Sequence, residues 1–163
     1  ICSQSVCARQ FNNLCRNNLK KDYINYLQFE KIILTYHKMF KNITVTAGKI
    51  GGRKNYAGFV KKNLSDWRII TKQETADVSE YLLRKNDAEI ALKFVRDIET
   101  KSFLGVLAGI YGKYIRQLCM TGINRFFMTE KFISGYRDKY TSAFIDQLQH
   151  KNPDEMDCIL RTK

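Results

Sequence analysis

The stretch TKQETADVSEYLLRKNDAEIALKFVRDI, from Thr71 to Ile98, is the segment on which the reading of the fold turns. Thr71-Lys-Gln-Glu74 has the form of a capping box, in which a Thr and a Glu three residues later satisfy each other's free amide groups at a helix start. Val78, Tyr81 and Leu82 then follow on one helical face. Asn86-Asp87 ends that helix and caps the next, whose stripe reads Ile90, Ala91, Phe94, Val95 and Ile98. The segment therefore reads as two consecutive helices.

Working outward, the same period recurs on both sides. Cys7, Phe11, Leu14, Cys15 and Leu19, then Tyr23, Tyr26, Leu27, Phe29, Ile33, Tyr36 and Phe40, predict helices near 4–19 and 22–41, with Asp22 capping the second. Asn55 is placed to cap a helix through Phe59, Val60, Leu64 and Trp67. Phe103, Leu107, Ile110, Tyr111, Tyr114 and Leu118 make a further stripe, ended by a turn at Thr121-Gly122. Thr129 opens a last helix through Phe132, Ile133, Tyr136, Tyr140, Phe144 and Leu148, stopped by Asn152-Pro153. That proline is the only one in the chain, which favours long helices over strands and turns.

Residues 43–58 interrupt the period with Gly48, Gly51, Gly52 and Gly58. They read as a mobile basic loop or a short hairpin, and the alternation of Ile43, Val45 and Ala47 allows one strand. The expected architecture is mostly α: one helical-bundle-like domain of six or seven helices. Its parts are N-terminal helices over 4–41, the glycine-rich loop over 43–58, a helical core over 59–150 and a C-terminal tail over 151–163.

Charge is the strongest functional signal. The 163 residues carry a net charge of +12. Up to Arg68 there are thirteen Lys and Arg against three acids, Asp22, Glu30 and Asp66, whereas the remainder has fifteen against thirteen. No acid lies between Glu30 and Asp66. A basic surface of this kind concentrates polyanions and gains from the release of their counterions.

Within that stretch, Gly-Lys-Ile-Gly-Gly-Arg-Lys, Gly48 to Lys54, combines cations with glycines that bring backbone amides close to a phosphate. It lacks the Lys-Ser or Lys-Thr of a nucleotide-binding loop. Tyr56, Phe59 and Trp67 alternate with Arg53, Lys54, Lys61, Lys62 and Arg68, as rings and cations do in single-strand binders. Helical spacing makes Trp67 a core anchor and leaves Tyr56 the freer ring. The candidate contacts are Lys49, Arg53, Lys54, Tyr56, Lys61 and Lys62. Arg125, Lys131, Arg137 and Lys139 form a second, weaker basic group.

Catalytic signals are weaker. His37 and His150 have no neighbour at dyad spacing, and Asp87/Glu89 and Asp97/Glu99, at i and i+2 on a helix, point to different sides. Cys2, Cys7, Cys15, Cys119 and Cys158 show no zinc-ligand spacing. An odd number at low density favours reduced thiols and an intracellular setting. The sequons Asn42-Ile-Thr44 and Asn63-Leu-Ser65 suit a secreted or organellar protein. The longest apolar run, Phe103 to Tyr111, is too short to span a bilayer.

The expected function is non-catalytic binding of a nucleic acid backbone, RNA or a ribonucleoprotein in particular, with no cofactor and no metal. The alternative is a helical interaction module, a secreted effector or a subunit of a larger assembly, whose basic face meets an acidic protein or a membrane surface. A third reading is a small basic nuclease or toxin domain.

Overall fold

The computed structural model describes residues 2–136, 138–151 and 156–161. The chain divides into two compact units. The first is built from Asn18–Ala108 with the residues up to Ser5, and the second from Val6–Asn17 with the residues from Gly109 on.

In the first unit, helix α2 (Lys21–His37) leads to strand β1 (Asn42–Gly48) and helix α3 (Ala57–Asn63). Three antiparallel strands follow: β2 (Arg68–Glu74), β3 (Val78–Lys85) and β4 (Ala88–Val95). The sheet order is β1-β4-β3-β2, with β1 parallel to β4. Ser79, Tyr81 and Leu83 on β3, and Ile90, Leu92 and Phe94 on β4, face one side of the sheet and are buried. Tyr23, Tyr26 and Ile33 of α2, Val60 of α3, and Leu64 and Trp67 just beyond it pack against the same cluster. The other side of the sheet exposes Thr44, Thr46 and Arg84.

This mixed sheet corrects the mostly-α, helical-bundle expectation. Residues 71–98 form no helix of the expected kind: the apolar side chains alternate into the core with period 2, which only an extended chain does. Thr71 and Glu74 lie on β2, where the register shifts between Thr71 and Gln73, and Glu74 accepts a hydrogen bond from the Tyr81 hydroxyl instead of closing a capping box. Asn86-Asp87 is the two-residue turn of a hairpin, with Asn86 at φ 52°. The expected helix through Trp67 stops at Asn63. The alternation at Ile43, Val45 and Ala47 is realised as β1.

A 3-10 turn at Ile98–Thr100 precedes α4 (Phe103–Phe126), which begins in the first unit and continues in the second. Thr121 and Gly122 are inside this helix, not in a turn. In the second unit, α1 (Ala8–Arg16) is capped by the Cys7 sulfur, which accepts from the Gln10 amide at 3.5 Å. It packs against α6 (Met156–Ile159), where Asp157 takes hydrogen bonds from Asn12 (2.9 Å) and Arg16 (2.6 Å). Between α4 and α5 (Lys139–Lys151), Asn124 ties the connecting loop through Ile133 and Thr129. Asp138, not Thr129, caps α5: its carboxylate accepts from the amides of Tyr140 and Thr141, both at 2.9 Å. The Ser134 hydroxyl bond and these amides hold its pKa at about 2. Asn152 and Pro153 lie outside the described residues. Among the described residues no helix is long and apolar enough to cross a membrane.

Candidate anion-binding surface

The segment after β1 is a tight turn. Gly51 and Gly52 take φ of 56° and 71°, a left-handed conformation in which a side chain is strained, and the Arg53 amide closes the turn on the Ile50 carbonyl at 3.0 Å. Ile50 itself is buried, which ties this segment to the core.

Three of the six candidate residues do that pinning. Tyr56, expected to be the freer ring, is 0 % exposed. Its ring stacks on Phe94 with centroids 3.9 Å apart and planes within 6°. Its hydroxyl accepts the Ile50 amide at 2.8 Å, and its own amide donates to the Tyr81 hydroxyl at 2.8 Å. The ring is therefore closed to a nucleobase, because burying a phenol with both ends satisfied is worth more than exposing it.

Lys49 points inward as well. Its ammonium donates to the Thr75 carbonyl at 2.7 Å and the Ser79 hydroxyl at 2.8 Å, joining the turn to the β2–β3 connection. Burial pulls its pKa below the usual lysine value. Arg53 is held between Asp22, to which it donates from Nε at 2.9 Å, and the Phe59 ring, 4.1 Å below its guanidinium carbon. Burial pushes the Asp22 carboxyl up, but the bonds from Arg53 and the Tyr23 amide, with the Arg53 charge, bring it below its ordinary value.

Lys54, Lys61 and Lys62 remain at the surface. The Lys62 ammonium stands 4.6 Å over the Tyr23 ring, and the Tyr23 hydroxyl donates to Asn63 at 3.0 Å. Together with the Arg53–Asp22 pair, these contacts set the first turn of α2 against α3. Lys20 and Lys21, at the start of α2, are exposed as well. Sequence reasoning does not single these two out. Their signal is present in Lys20-Lys21-Asp22, but which side of α2 they share with α3 depends on contacts forty residues away. Asp22 is paired with Arg53, whereas Lys20, Lys21, Lys54, Lys61 and Lys62 are all exposed.

Beneath this surface lies a buried carboxyl. Glu30 accepts from the Asn63 side-chain amide at 3.1 Å, and burial raises its pKa while the bonds from Asn63 and Tyr26 pull it back. Asn63, the acceptor of one sequon, thus has both ends of its amide engaged. The Asn42 side chain of the other sequon accepts the Glu89 amide at 3.0 Å.

The remaining candidates stand apart. His37 meets Trp67 edge-on at 4.9 Å, and its Nδ1 is buried without a partner. Trp67 is buried, as a core anchor is. Both line a groove of about 510 Å³ rimmed by the Lys41–Asp87 and Lys85–Asp66 ion pairs. Asp87 and Glu89 sit on the β3–β4 hairpin rather than on a helix, and Glu89 is paired with Arg84 at 2.8 Å. Among the described residues no three His, Cys, Asp or Glu come together as a metal site would need. The five cysteines are unpaired. In the second basic group, Lys131 and Lys139 each place an ammonium 5.0 Å from the Tyr140 ring, and Arg137 lies outside the described residues. Comparison with known proteins finds no matching family model, no similar curated protein and no matching solved structure.

Proposed function

We propose that the chain binds the phosphate backbone of a nucleic acid through the exposed lysines at the start of α2 and on α3. The observation that carries this reading is the docking of the first turn of α2 against α3 by Lys62–Tyr23, Tyr23–Asn63 and Arg53–Asp22. It pairs Asp22 with Arg53 and leaves Lys20, Lys21, Lys54, Lys61 and Lys62 exposed on the elements these contacts join. Lysines at the surface act as point charges on phosphates, so binding gains from counterion release and tolerates any base sequence.

The test is fluorescence anisotropy with a labelled mixed-sequence single-stranded RNA across a salt series. The wild type should show an affinity that falls steeply with salt. The double variant K61E/K62E should bind more weakly, with the slope of log K against log salt reduced by about 0.7 for each phosphate it no longer neutralises. An unchanged affinity and slope would refute the reading. A DNA strand of the same sequence, run in parallel, shows whether the sugar matters.

A second reading, a surface for a protein partner, is supported by α4. There Phe103, Leu107, Ile110, Tyr114 and Leu118 recur at helical spacing and stay exposed.

A further inference from the structure

The two edges of the sheet are built differently. β2 carries Arg68, Lys72 and Glu74, and its ladder is broken by the register shift between Thr71 and Gln73. Charge and irregularity are the usual means of preventing an edge from pairing with another chain. β1 has neither: Asn-Ile-Thr-Val-Thr-Ala-Gly, Asn42 to Gly48, is seven residues without a charge, a proline or a bulge, and it is in continuous register with β4.

Its free hydrogen-bonding groups can be located. In a parallel ladder every second residue directs both its N–H and its C=O at the neighbouring strand. The Glu89 amide donates to the Lys41 carbonyl at 3.3 Å, and the Lys49 amide donates to the Val95 carbonyl at 3.0 Å. Lys41 and Lys49 therefore belong to the set that faces β4, with Ile43, Val45 and Ala47 between them. Asn42, Thr44, Thr46 and Gly48 direct four amides and four carbonyls away from the sheet.

We infer that this edge pairs with a second copy of the chain, β1 antiparallel to β1 about a twofold axis at Val45. In that register Thr44 lies opposite Thr46 of the second copy and Asn42 opposite its Gly48. All the outward amides and carbonyls of both copies are then satisfied by eight hydrogen bonds. On the side facing α2, Val45 meets its own counterpart and Ile43 meets Ala47, apolar on apolar, while Thr meets Thr on the open side. No charge within the strand faces a like charge. The flanking Lys41 and Lys49, which would oppose each other, are already held by Asp87 and by Thr75 with Ser79. Met39 and Phe40, ahead of Lys41 and β1, are 61 % and 57 % exposed. A strand that is uncharged, regular and self-complementary matches another copy of itself better than a peptide of unrelated sequence.

Sedimentation equilibrium on nucleic-acid-free protein at 0.5 M NaCl tests this. High salt screens the repulsion between two bodies of +12 and strips bound polyanion, so association that persists there is not bridging by nucleic acid. A monomer–dimer equilibrium is expected. T44P should raise its dissociation constant by about tenfold or more. It should leave the fold intact, because the Thr44 amide donates nothing to β4. T46K should do the same by placing a charge on the edge. Amide exchange gives an independent reading: protection of Thr44, Thr46 and Gly48 should rise with protein concentration, while that of Ile43, Val45 and Ala47 stays constant. A wild type that is monomeric at every concentration overturns the inference. So does a dimer that survives either substitution with circular dichroism unchanged, or a dimer in which the outward amides gain no protection.

Discussion

The acid-free stretch contains two kinds of cation, and the turn from Lys49 to Lys54 holds both. Lys49 and Arg53 are folded inward against Thr75, Ser79, Asp22 and Phe59, whereas Lys54 presents its side chain to solvent, as does Lys61 on α3, and Lys62, also exposed, lies over the Tyr23 ring. The first kind closes a turn over the core, and the second keeps its charge at the surface. Charge density in a sequence is thus an upper bound on the charge a partner can meet. What decides is whether the protein has already supplied a carbonyl, a hydroxyl or a carboxylate at the right distance.

The comparison breaks most severely at Tyr56. Y56A removes a fully buried ring stacked on Phe94 and leaves the Ile50 amide without its acceptor. A loss of about 3–5 kcal/mol of stability is expected from the cavity and the unsatisfied amide, measured by urea denaturation. Y56F keeps the ring and should lose about 1–3 kcal/mol. If Tyr56 were instead a stacking platform for a base, Y56A would leave stability alone and weaken RNA binding. Next comes K49Q, which should cost about 1–2 kcal/mol by removing the charged donor that ties the turn to the Ser79 hydroxyl and the Thr75 carbonyl. Its salt slope for RNA should match the wild type's.

The division is not legible from local pattern, and the reason is the same as for the fold. Lys49 finds partners twenty-six and thirty residues away, at the β2–β3 connection that the helical reading of 71–98 does not contain, and Arg53 finds one thirty-one residues back on α2. That reading fails because the strands carry apolar side chains on both faces. Leu82 sits beside the buried Leu83, and Ala91 lies between the buried Ile90 and Leu92, so the period of 2 is blurred into runs that also fit a helix. Val78, Tyr81 and Leu82 satisfy the helical spacing by coincidence. By contrast β1, whose outward residues are polar throughout, shows its alternation at Ile43, Val45 and Ala47 in the bare sequence. The net charge and its location near the N-terminus are equally plain, since they depend on no contact.

A smaller effect separates two acids on α2. Glu30 has a raised pKa, so the folded state holds its proton more tightly than the unfolded chain, and its ionisation weakens the fold as pH rises from the ordinary glutamate range through the raised value. Asp22 has a lowered pKa, so its contribution is complete above the ordinary aspartate range and is lost as pH falls through the lowered value. E30Q should therefore flatten the decline in stability on the alkaline side of that window, and D22N the decline on the acid side. Thermal unfolding between pH 3 and 7 distinguishes them. Coincident profiles for the two variants would contradict the assignment of opposite signs.

The smallest expected change in stability is at Lys54, and it is the most informative about function. Its carbonyl accepts from Ser79, but its side chain is exposed, so K54Q should leave stability within about 0.5 kcal/mol of the wild type. If Lys54 meets a phosphate, the slope of log K against log salt should fall by about 0.7. K49Q and K54Q then form a pair with crossed outcomes, five residues apart: one moves the urea midpoint and not the salt slope, the other the slope and not the midpoint. Were both to move only the midpoint, the lysines of the turn would all be structural, and any polyanion contact would have to rest on α3 and the start of α2 alone.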